Sequence, residues 1–399
     1  MFYSSGYVQE RGGKWRGGLR YKDGSGKWRT VTKTLSATGK RAATRELAEW
    51  RGVMEREHAQ RERRGAGASA DAAEYVTAFV DALERGAAIE RSTVRGYRST
   101  LKHIRREFAG TSLADLEPAR IQAWEIGLTE SGLSSSTVGK AHRLLKQALS
   151  HAVNVGDLGR NPMATVKPPK RQPKHAGINA LDAEGYRRTL ERLGNLEQTS
   201  TTVAATVALC TGLREGEICG LQWGDLNPES GALRVERSIG EGTGGSYVKR
   251  PKTDRARTIY LPKPALDALG SWRAARVTEW REFGLTGPST NDYIIGYPGG
   301  RYLPPTMLSR EWNALSKALG VMGTAGRRCT FHDLRHTWAT LFIAGGGDAV
   351  TAANNLGHAS PSMTLNIYAA ADPNAQRHAP RLIEEIISGT DAQRGDGQA

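Results

Sequence analysis

Proline and lysine dominate residues 161–175, which read NPMATVKPPKRQPKH. Prolines at this density exclude a regular helix, and the segment has no apolar period, so it predicts an extended basic linker between domains. At 399 residues the chain is too long for one ordinary domain. We therefore expect domains at 1–65, 70–160 and 176–388, followed by a disordered tail at 389–399.

The region before residue 65 alternates apolar and polar residues, a pattern typical of strands. The predicted elements are strands near 7–10, 14–21 and 28–35, a KDGSG turn at 22–26, and a polar helix at 39–64 that ends at the breaker Gly65-Ala66-Gly67. We expect Trp15 and Trp28 in the core of this small sheet, with contact to nucleic-acid sugars as the alternative.

The net charge of +15 favours a polyanionic partner, and its distribution favours the N-terminal end as the place that binds it. Residues 1–64 carry a net charge of +9, against +5 for residues 65–175 and +1 for residues 176–399. A merely solubilising basic surface is the alternative. Strands that lie in a DNA groove would present the basic side chains of Arg16, Arg20, Lys22, Lys27, Arg29 and Lys33.

Residues 70–155 have mostly helical periodicity. The predicted helices are 70–85, 90–108, 118–130 and 134–155, and either Ser134 or Ser135 caps the last one. The apolar face of that helix holds Val138, Ala141, Leu145, Ala148 and Ala152. Its other face holds Lys140, Arg143 and Lys146, which predict contact with DNA unless this is an ordinary solvated face.

Helical patterns outnumber strand-like runs in the third predicted domain, residues 176–388. The predicted helices are 181–193, 199–211, 264–283, 306–319 and 332–344, and the predicted strands are 232–239, 246–251 and 256–261. Strands and helices do not alternate, which favours an α+β arrangement. The predicted fold class is multidomain: a small N-terminal β-sheet plus helix domain, an all-α domain and a mainly α (α+β) domain.

Several protein classes are excluded by the sequence. No run of about 18 apolar residues predicts a membrane span, and the N-terminal MFYSSGYVQERGGKW lacks the apolar stretch of a secretory signal. The three cysteines, Cys210, Cys219 and Cys329, are odd in number and have no CxxC spacing, which favours a reduced, cytosolic chain without a structural zinc site.

Arginine and histidine recur in the third domain in motifs that suit an anionic ligand. Arg214 follows Gly212 at a loop-to-helix junction, where Glu217 could orient it or form only a local surface pair. His332 and Arg335 share a helix face, and His336 lies one turn beyond His332. A phosphate explains this cluster better than a metal, because Arg335 is a fixed cation and no HExxH motif is present.

The motifs follow one another along the chain as TGLR-x-x-E-I-x-x-L-x-W-x-D, K-T-x-x-x-R, HDLRHT-x-A-T, and LGH followed by T-x-x-x-Y. They contain Arg214, Lys252, His332, Arg335, His358 and Tyr368. In this order the residues resemble the catalytic set of the tyrosine recombinase (phage integrase) family. The resemblance covers residues 176–388. The regions 1–65 and 70–160 resemble the arm-site and core-site DNA-binding domains of integrases in their arrangement alone.

The resemblance implies a role for each residue. Tyr368 would attack the scissile phosphate and form a 3′-phosphotyrosyl bond, while Arg214 and Arg335 clamp the non-bridging oxygens. His332 and His358 would hydrogen-bond the phosphate, and His332 would accept the tyrosine proton. Lys252 would protonate the departing 5′-oxygen, with Lys249 as the competing candidate. Glu217 and His336 would support this set. No metal, ATP or other cofactor is expected.

The predicted function is site-specific DNA recombination by a phage or mobile-element integrase at the nucleoid. The expected partners are double-stranded DNA with core and arm attachment sites, a directionality factor and a DNA-bending host protein. The apolar stripe of Leu382, Ile383, Ile386 and Ile387 either packs on its own domain or docks into a neighbouring subunit of a homotetramer. The alternatives are a type IB topoisomerase-like enzyme, a chromosome-dimer resolvase and a non-catalytic DNA-binding regulator.

Overall fold

The structure is a computed structural model that describes residues 5–22, 27–170, 178–251 and 256–357. The chain divides into two compact units, Met1–Gln172 and Pro173–Ala399. Each unit has its own hydrophobic core.

The first unit begins with a three-stranded antiparallel sheet in which the second strand is central. The strands are β1 (Ser5–Arg11), β2 (Lys14–Lys22) and β3 (Trp28–Thr34), and the helix α1 (Lys40–Ala68) follows them. Leu19 on β2 and Leu47 on α1 are buried against each other, so one face of the sheet packs on the helix. The prediction that the helix ends at residue 65 is wrong, because single glycines cost a helix only about 1 kcal/mol each and no proline interrupts it.

Four further helices complete the first unit: α2 (Ala72–Arg85), α3 (Arg91–Phe108), α4 (Pro118–Glu130) and α5 (Ser135–Val155). Ser134 caps α5, since its side chain accepts a hydrogen bond from the backbone N–H of Thr137. The helices pack around fully buried side chains such as Phe108, Ile104 and Leu145.

The packed part of this unit reaches into the predicted linker. Pro162–Ala164 forms one 3-10 turn, and the Asn161 side chain caps it by accepting from the backbone N–H of Met163. Met163 is completely buried and Val166 nearly so. The expectation of an irregular stretch from residue 161 therefore fails at its start, because two apolar side chains there fit the helical core; residues 171–175 of the prediction lie outside the described residues.

The second unit is mainly helical, and its centre is a helix with almost no exposed residue, α7 (Ser200–Thr211). The other helices described in this unit are α6 (Ala183–Gly194), α8 (Glu215–Cys219), α9 (Lys263–Glu282), α10 (Pro305–Ala318), α11 (Phe331–Ala344) and α12 (Ala349–Leu356). α12 was not predicted, and α8 was anticipated only as the helix that begins at the loop-to-helix junction of Arg214, because helices of five and eight residues are too short to show a periodic pattern.

The strands of the second unit form three small antiparallel pairs. They are β4 (Ala232–Val235) with β7 (Arg257–Tyr260), β5 (Ser238–Gly242) with β6 (Gly245–Lys249), and β8 (Gly296–Tyr297) with β9 (Arg301–Tyr302). The single strand predicted at 232–239 is wrong: it is two strands with different partners. Between them, Glu236 and Arg237 turn the chain, and the Arg237 side chain pairs with Asp225.

Candidate functional site

Arg214 stands where two buried helices of the second unit meet. α7 ends at Gly212, whose φ of +66° is a left-handed conformation that favours glycine. A Cβ at this position would also lie 2.8 Å from Leu356 and from Trp338. Arg214 then occupies the N-cap of α8, with its side chain 24% exposed. The tight turn at Gly212 therefore directs Arg214 out of the core.

Glu217 fixes the direction of Arg214 from within the protein. Its side chain is 1% exposed, and it accepts hydrogen bonds from the Arg214 backbone N–H at 3.0 Å and from Arg214 Nη1 at 2.9 Å. Burial raises the pKa of the Glu217 carboxyl, but the hydrogen bonds and charges of Arg257 and Arg214 outweigh burial and hold the pKa below its usual value. Glu217 is therefore a buried carboxylate.

Arg257 belongs to the same group of side chains, although the sequence motifs gave it no role. Its Nη1 and Nη2 donate to the two oxygens of Glu217 at 3.1 Å and 2.8 Å. The signal was present, because Arg257 is the last residue of the K-T-x-x-x-R motif. Its partner lies 40 residues away along the chain, so spacing alone could not identify the pair.

Arg335 lies in α11 with its side chain 5% exposed. Its Nη1 and Nη2 donate at 2.8 Å to the carbonyl oxygens of Gly212 and Leu356. Burial, together with the charge of Arg214, lowers the pKa of Arg335 to about 9, so the guanidinium is still charged at neutral pH. Both carbonyls lie at helix C-termini, where the backbone carries partial negative charge and stabilises a cation.

All three arginines donate a hydrogen bond to the C-terminus of α12. Three consecutive carbonyl oxygens accept one hydrogen bond each: Asn355 from Arg257 Nε at 2.9 Å, Leu356 from Arg335 Nη2 at 2.8 Å, and Gly357 from Arg214 Nη2 at 2.8 Å. We call Arg214, Arg257, Arg335 and Glu217 the arginine cluster. It concentrates three positive charges against one buried carboxylate, which suits an anionic ligand.

His332 and His336 lie on the same helix as Arg335, with their ring centroids 4.8 Å apart in a T-shaped arrangement. Burial and the positive charges of His336 and Arg335 lower the pKa of His332 to about 4, against the opposite effect of Asp333. The His332 side chain is open to water on one side, which screens part of this effect. The direction of the shift nonetheless leaves its imidazole neutral at pH 7. Burial also lowers the pKa of His336.

Three predicted catalytic residues, Lys252, His358 and Tyr368, lie outside the described residues. The competing candidate, Lys249, ends β6 and is half-buried, with its side chain beside Gly240. Of the predicted catalytic and supporting residues, the structure therefore describes Arg214, Glu217, His332, Arg335 and His336.

The predicted DNA-binding residues of the N-terminal sheet lie on both of its faces. Cross-strand pairing places Arg16, Arg20 and Lys22 on the face opposite α1, where Trp28 is the partner of Lys22. Trp28 is 51% exposed, with Arg20 and Lys22 5.6 Å and 5.4 Å from its ring centroid. Its predicted core position is therefore wrong, because its register places it on this outer face.

The remaining predicted DNA contacts in the first unit are also exposed. Arg29 and Lys33 alternate with Trp28 along β3, so they lie on the other face of the sheet. Lys33 Nζ is 6.0 Å from the Trp50 ring on α1. Lys27 immediately precedes β3. Trp15 is half-buried. Lys140, Arg143 and Lys146 project from one side of α5.

Comparison with known proteins decides the family. A model of the phage integrase family matches residues 180–375. The chain belongs to the phage integrase family. This confirms the resemblance found in the sequence, and makes the chain a tyrosine recombinase that acts on DNA.

Relatives of this integrase share much of its length. The tyrosine recombinase XerC-like protein of Caldanaerobacter subterraneus subsp. tengcongensis is 28% identical over 306 residues, covering 73% of this chain and 76% of the relative. The Tn1549 transposon integrase in complex with transposon right end DNA aligns with a TM-score of 0.64 at 20% identity, covering 79% of this chain and all of that chain. A lambda integrase tetramer bound to a Holliday junction aligns with a TM-score of 0.59 at 20% identity, covering 92% and 95%. These neighbours confirm the predicted multidomain α+β fold class.

No helix in the described ranges is long and apolar enough to cross a membrane. Among the same residues, no group of three or more His, Cys, Asp or Glu side chains is placed to hold a metal ion.

Proposed function

We propose that this tyrosine recombinase is an integrase that cuts and rejoins DNA at attachment sites through a 3′-phosphotyrosyl intermediate. The observation that carries the proposal is the arginine cluster, in which Arg214 and Arg335 converge on the C-terminus of α12 from two different helices. Each uses two of its five N–H donors on the described partners, which leaves donors for a phosphate.

The proposed cleavage step exchanges one phosphodiester bond for another. The Tyr368 oxygen attacks the scissile phosphorus as the bond from phosphorus to the 5′-oxygen breaks. The phenol proton passes to the neutral imidazole of His332, and Lys252 gives a proton to the departing 5′-oxygen. Rejoining reverses these transfers with a 5′-hydroxyl of the partner strand, so the number of phosphodiester bonds is conserved and no ATP is consumed.

Arg214 and Arg335 would stabilise the charge that develops on the non-bridging oxygens during this step. Both guanidinium groups are already held by protein partners, so they need little reorganisation when the reaction occurs. His358, which follows Gly357 directly, would add a hydrogen bond to the phosphate. Glu217 holds Arg214 in place, and His336 lies against His332.

We further propose that the first unit binds the DNA at two kinds of site, the arm sites and the core site. The outer face of the N-terminal sheet, with Arg16, Arg20, Lys22 and Trp28, would bind arm sites, and the basic side of α5 would bind the core site. The lambda integrase neighbour, a tetramer on a Holliday junction, supports a homotetramer that holds two duplexes. Because its substrate is genomic DNA, we place the protein at the nucleoid.

The similarity to the Tn1549 transposon integrase supports a mobile element as the source of the recombined DNA. The basic sheet before the helical part of the first unit favours this role over chromosome-dimer resolution, whose enzymes usually lack such a domain. A directionality factor and a DNA-bending host protein would then act with the tetramer.

A nicked suicide duplex that carries a candidate core site tests the proposal. Cleavage releases a short 5′-hydroxyl fragment, so the covalent adduct accumulates and survives denaturant. We expect the adduct with the unmodified protein and none with Tyr368→Phe, which should still bind the duplex. An adduct with Tyr368→Phe would contradict the assigned nucleophile. Relaxation of supercoiled DNA without any joined product would instead indicate the topoisomerase-like alternative.

A further inference from the structure

We propose that Arg257 is a positioning residue for DNA cleavage: it holds Glu217 so that Glu217 aims Arg214 at the scissile phosphate. The inference rests on the proposed function and extends it to a residue outside the six predicted catalytic residues. Three observations carry it, namely the contacts of Arg257, the burial of Glu217 and the close packing at Gly357.

The contacts of Arg257 are all directed into the protein. It lies at the start of β7 with its side chain 13% exposed. Nη1 and Nη2 form a two-point fork on the Glu217 carboxylate, and Nε donates to the Asn355 carbonyl at 2.9 Å. Such a planar fork orients its partner as well as binding it, which a lysine ammonium cannot do.

Glu217 depends on Arg257 for half of its hydrogen bonds. Oε1 accepts from Arg214 Nη1 at 2.9 Å and from Arg257 Nη1 at 3.1 Å, and Oε2 accepts from the Arg214 backbone N–H at 3.0 Å and from Arg257 Nη2 at 2.8 Å. A carboxylate that is 1% exposed has no water to replace a lost partner. Without Arg257 it would take up a proton or turn away, and either change releases Arg214.

The position of Arg257 is itself fixed by the chain that leads to the predicted nucleophile. A Cβ at Gly357 would lie 2.7 Å from Arg257 Nη1 and 3.4 Å from Arg214 Nη1. The guanidinium of Arg257 therefore packs directly against the residue that precedes His358. This contact keeps the plane of Arg257 aligned with Glu217.

Single-turnover cleavage of two suicide duplexes tests the proposal. One duplex has the natural 5′-bridging oxygen at the scissile phosphate, and the other has sulfur there, a leaving group that needs no proton from Lys252 because thiolates form near neutral pH. We expect Arg257→Gln to slow cleavage of both duplexes by the same factor, roughly 10- to 100-fold, the usual range for residues that orient an active-site group. Arg257→Lys should lie between Arg257→Gln and the unmodified protein.

Two controls frame this result. Arg234→Gln removes an exposed arginine from the neighbouring strand β4, where Arg234 pairs with Thr258 in the ladder, and should leave cleavage unchanged. Lys252→Ala should recover on the sulfur duplex. Recovery of Arg257→Gln on the sulfur duplex would overturn the proposal, because it would place Arg257 at the leaving group. Unchanged cleavage by Arg257→Gln would also overturn it, whereas no adduct with the unmodified protein would refute the proposed function.

A double variant keeps the proposal testable if Arg257→Gln folds poorly. Glu217→Gln combined with Arg257→Gln removes one negative and one positive charge together, so the net charge of the cluster is unchanged and the double variant should fold. If Arg257 acts through Glu217, the double variant should cleave no more slowly than Glu217→Gln alone. Further slowing would show an independent role and contradict the inference.

The pH dependence of cleavage gives a readout that a merely structural role would not change. Arg257→Gln removes the neighbour that most lowers the pKa of Glu217, and Arg214 and Arg335 remain as the charged groups that face it. Cleavage by this variant should therefore fall at a higher pH on acidification than cleavage by the unmodified protein. This difference should disappear when Glu217→Gln is also present, and its persistence would count against the proposal.

Discussion

Burial leaves Arg335 and His332 in different charge states although it acts on both in the same direction. It lowers the pKa of Arg335 to about 9 and that of His332 to about 4, and cationic neighbours add to both shifts. At pH 7 the first group is therefore a cation and the second a neutral base. One turn of α11 thus holds a cation beside a neutral imidazole, as the proposed phosphate clamp and proton acceptor require.

The pKa of His332 can be measured directly. We expect a titration of its ring signals by NMR to give a pKa well below 6.5 in the DNA-free protein. Adding a duplex to the Tyr368→Phe protein should raise this pKa, because a nearby phosphate stabilises the imidazolium. A pKa near 6.5 that does not respond to DNA would contradict the placement of His332 beside both Arg335 and the phosphate.

Single residues of the site were predictable where a local motif carries them. Arg214 and Glu217 are three residues apart in one motif, and His332 and Arg335 share one helix face, so short spacing sufficed. Arg257 could not be assigned, because its role depends on a partner 40 residues away and on a carbonyl 98 residues away. Trp28 was misplaced for a related reason: strand register decides which face it occupies.

At the scale of elements, the end of α12 is the part on which the site depends. Its last carbonyls accept from three arginines, and Gly357 ends it with a φ of +59°. A side chain here would meet both the strained backbone and the guanidinium of Arg257. α12 therefore acts as the common anchor for arginines that come from α8, β7 and α11.

Two glycine substitutions separate these effects. Gly357→Ala and Gly346→Ala both place alanine at positive φ, and each should lower the free energy of unfolding by about 1 kcal/mol. Only Gly357→Ala should also slow cleavage, by about 10-fold or more, since a Cβ at Gly346 meets no atom within 4 Å. Denaturant unfolding and single-turnover cleavage measure the two effects. Equal loss of cleavage in both variants would contradict the anchoring role of α12.

Element boundaries were predictable where amphipathic periodicity is long. α4 matches its prediction of 118–130 at both ends, and α5 begins one residue later because Ser134 is its cap. The short α12 was missed, and α8 was anticipated only from the loop-to-helix junction at Arg214, although the termini of both helices hold the arginines. The divided strand at 232–239 was missed because pairing with two partners is a tertiary property.

At the scale of the whole molecule, the excess charge lies far along the chain from the arginine cluster. Residues 1–64 hold +9 of the net +15, whereas the arginine cluster holds three positive charges against the one carboxylate of Glu217. We therefore expect DNA affinity to come mainly from the first unit and phosphate activation from the second.

Matched pairs of substitutions test the outer face of the sheet. Arg20→Gln with Lys22→Gln removes two charges from this face. Arg29→Gln with Lys33→Gln removes two charges from the other face of the sheet. The first pair should reduce the slope of log affinity against log salt by about 2, since each lost phosphate contact lowers it by roughly 0.9. The second pair should change it less. Equal reductions would contradict binding through one face.

The mainly helical α+β class could be predicted from periodicity, whereas the division into a DNA-binding part and a catalytic part stays a prediction from charge and motifs. The limit of the helical core could not be predicted, because burial of Met163 inside a proline-rich segment depends on a cavity that other helices provide. Sequence patterns thus predict which residues carry charge, but not which backbone atoms hold them.

The most direct measurement of the central claim compares cleavage with DNA binding in Arg214→Lys and Arg335→Lys. A lysine keeps the charge but cannot span a carbonyl and a phosphate together. We predict that single-turnover cleavage falls by roughly 10²–10³ while the dissociation constant for the duplex stays within about threefold, because these donors act in the transition state. Equal losses in cleavage and binding, or no loss in either, would contradict the claim that the arginine cluster activates the scissile phosphate.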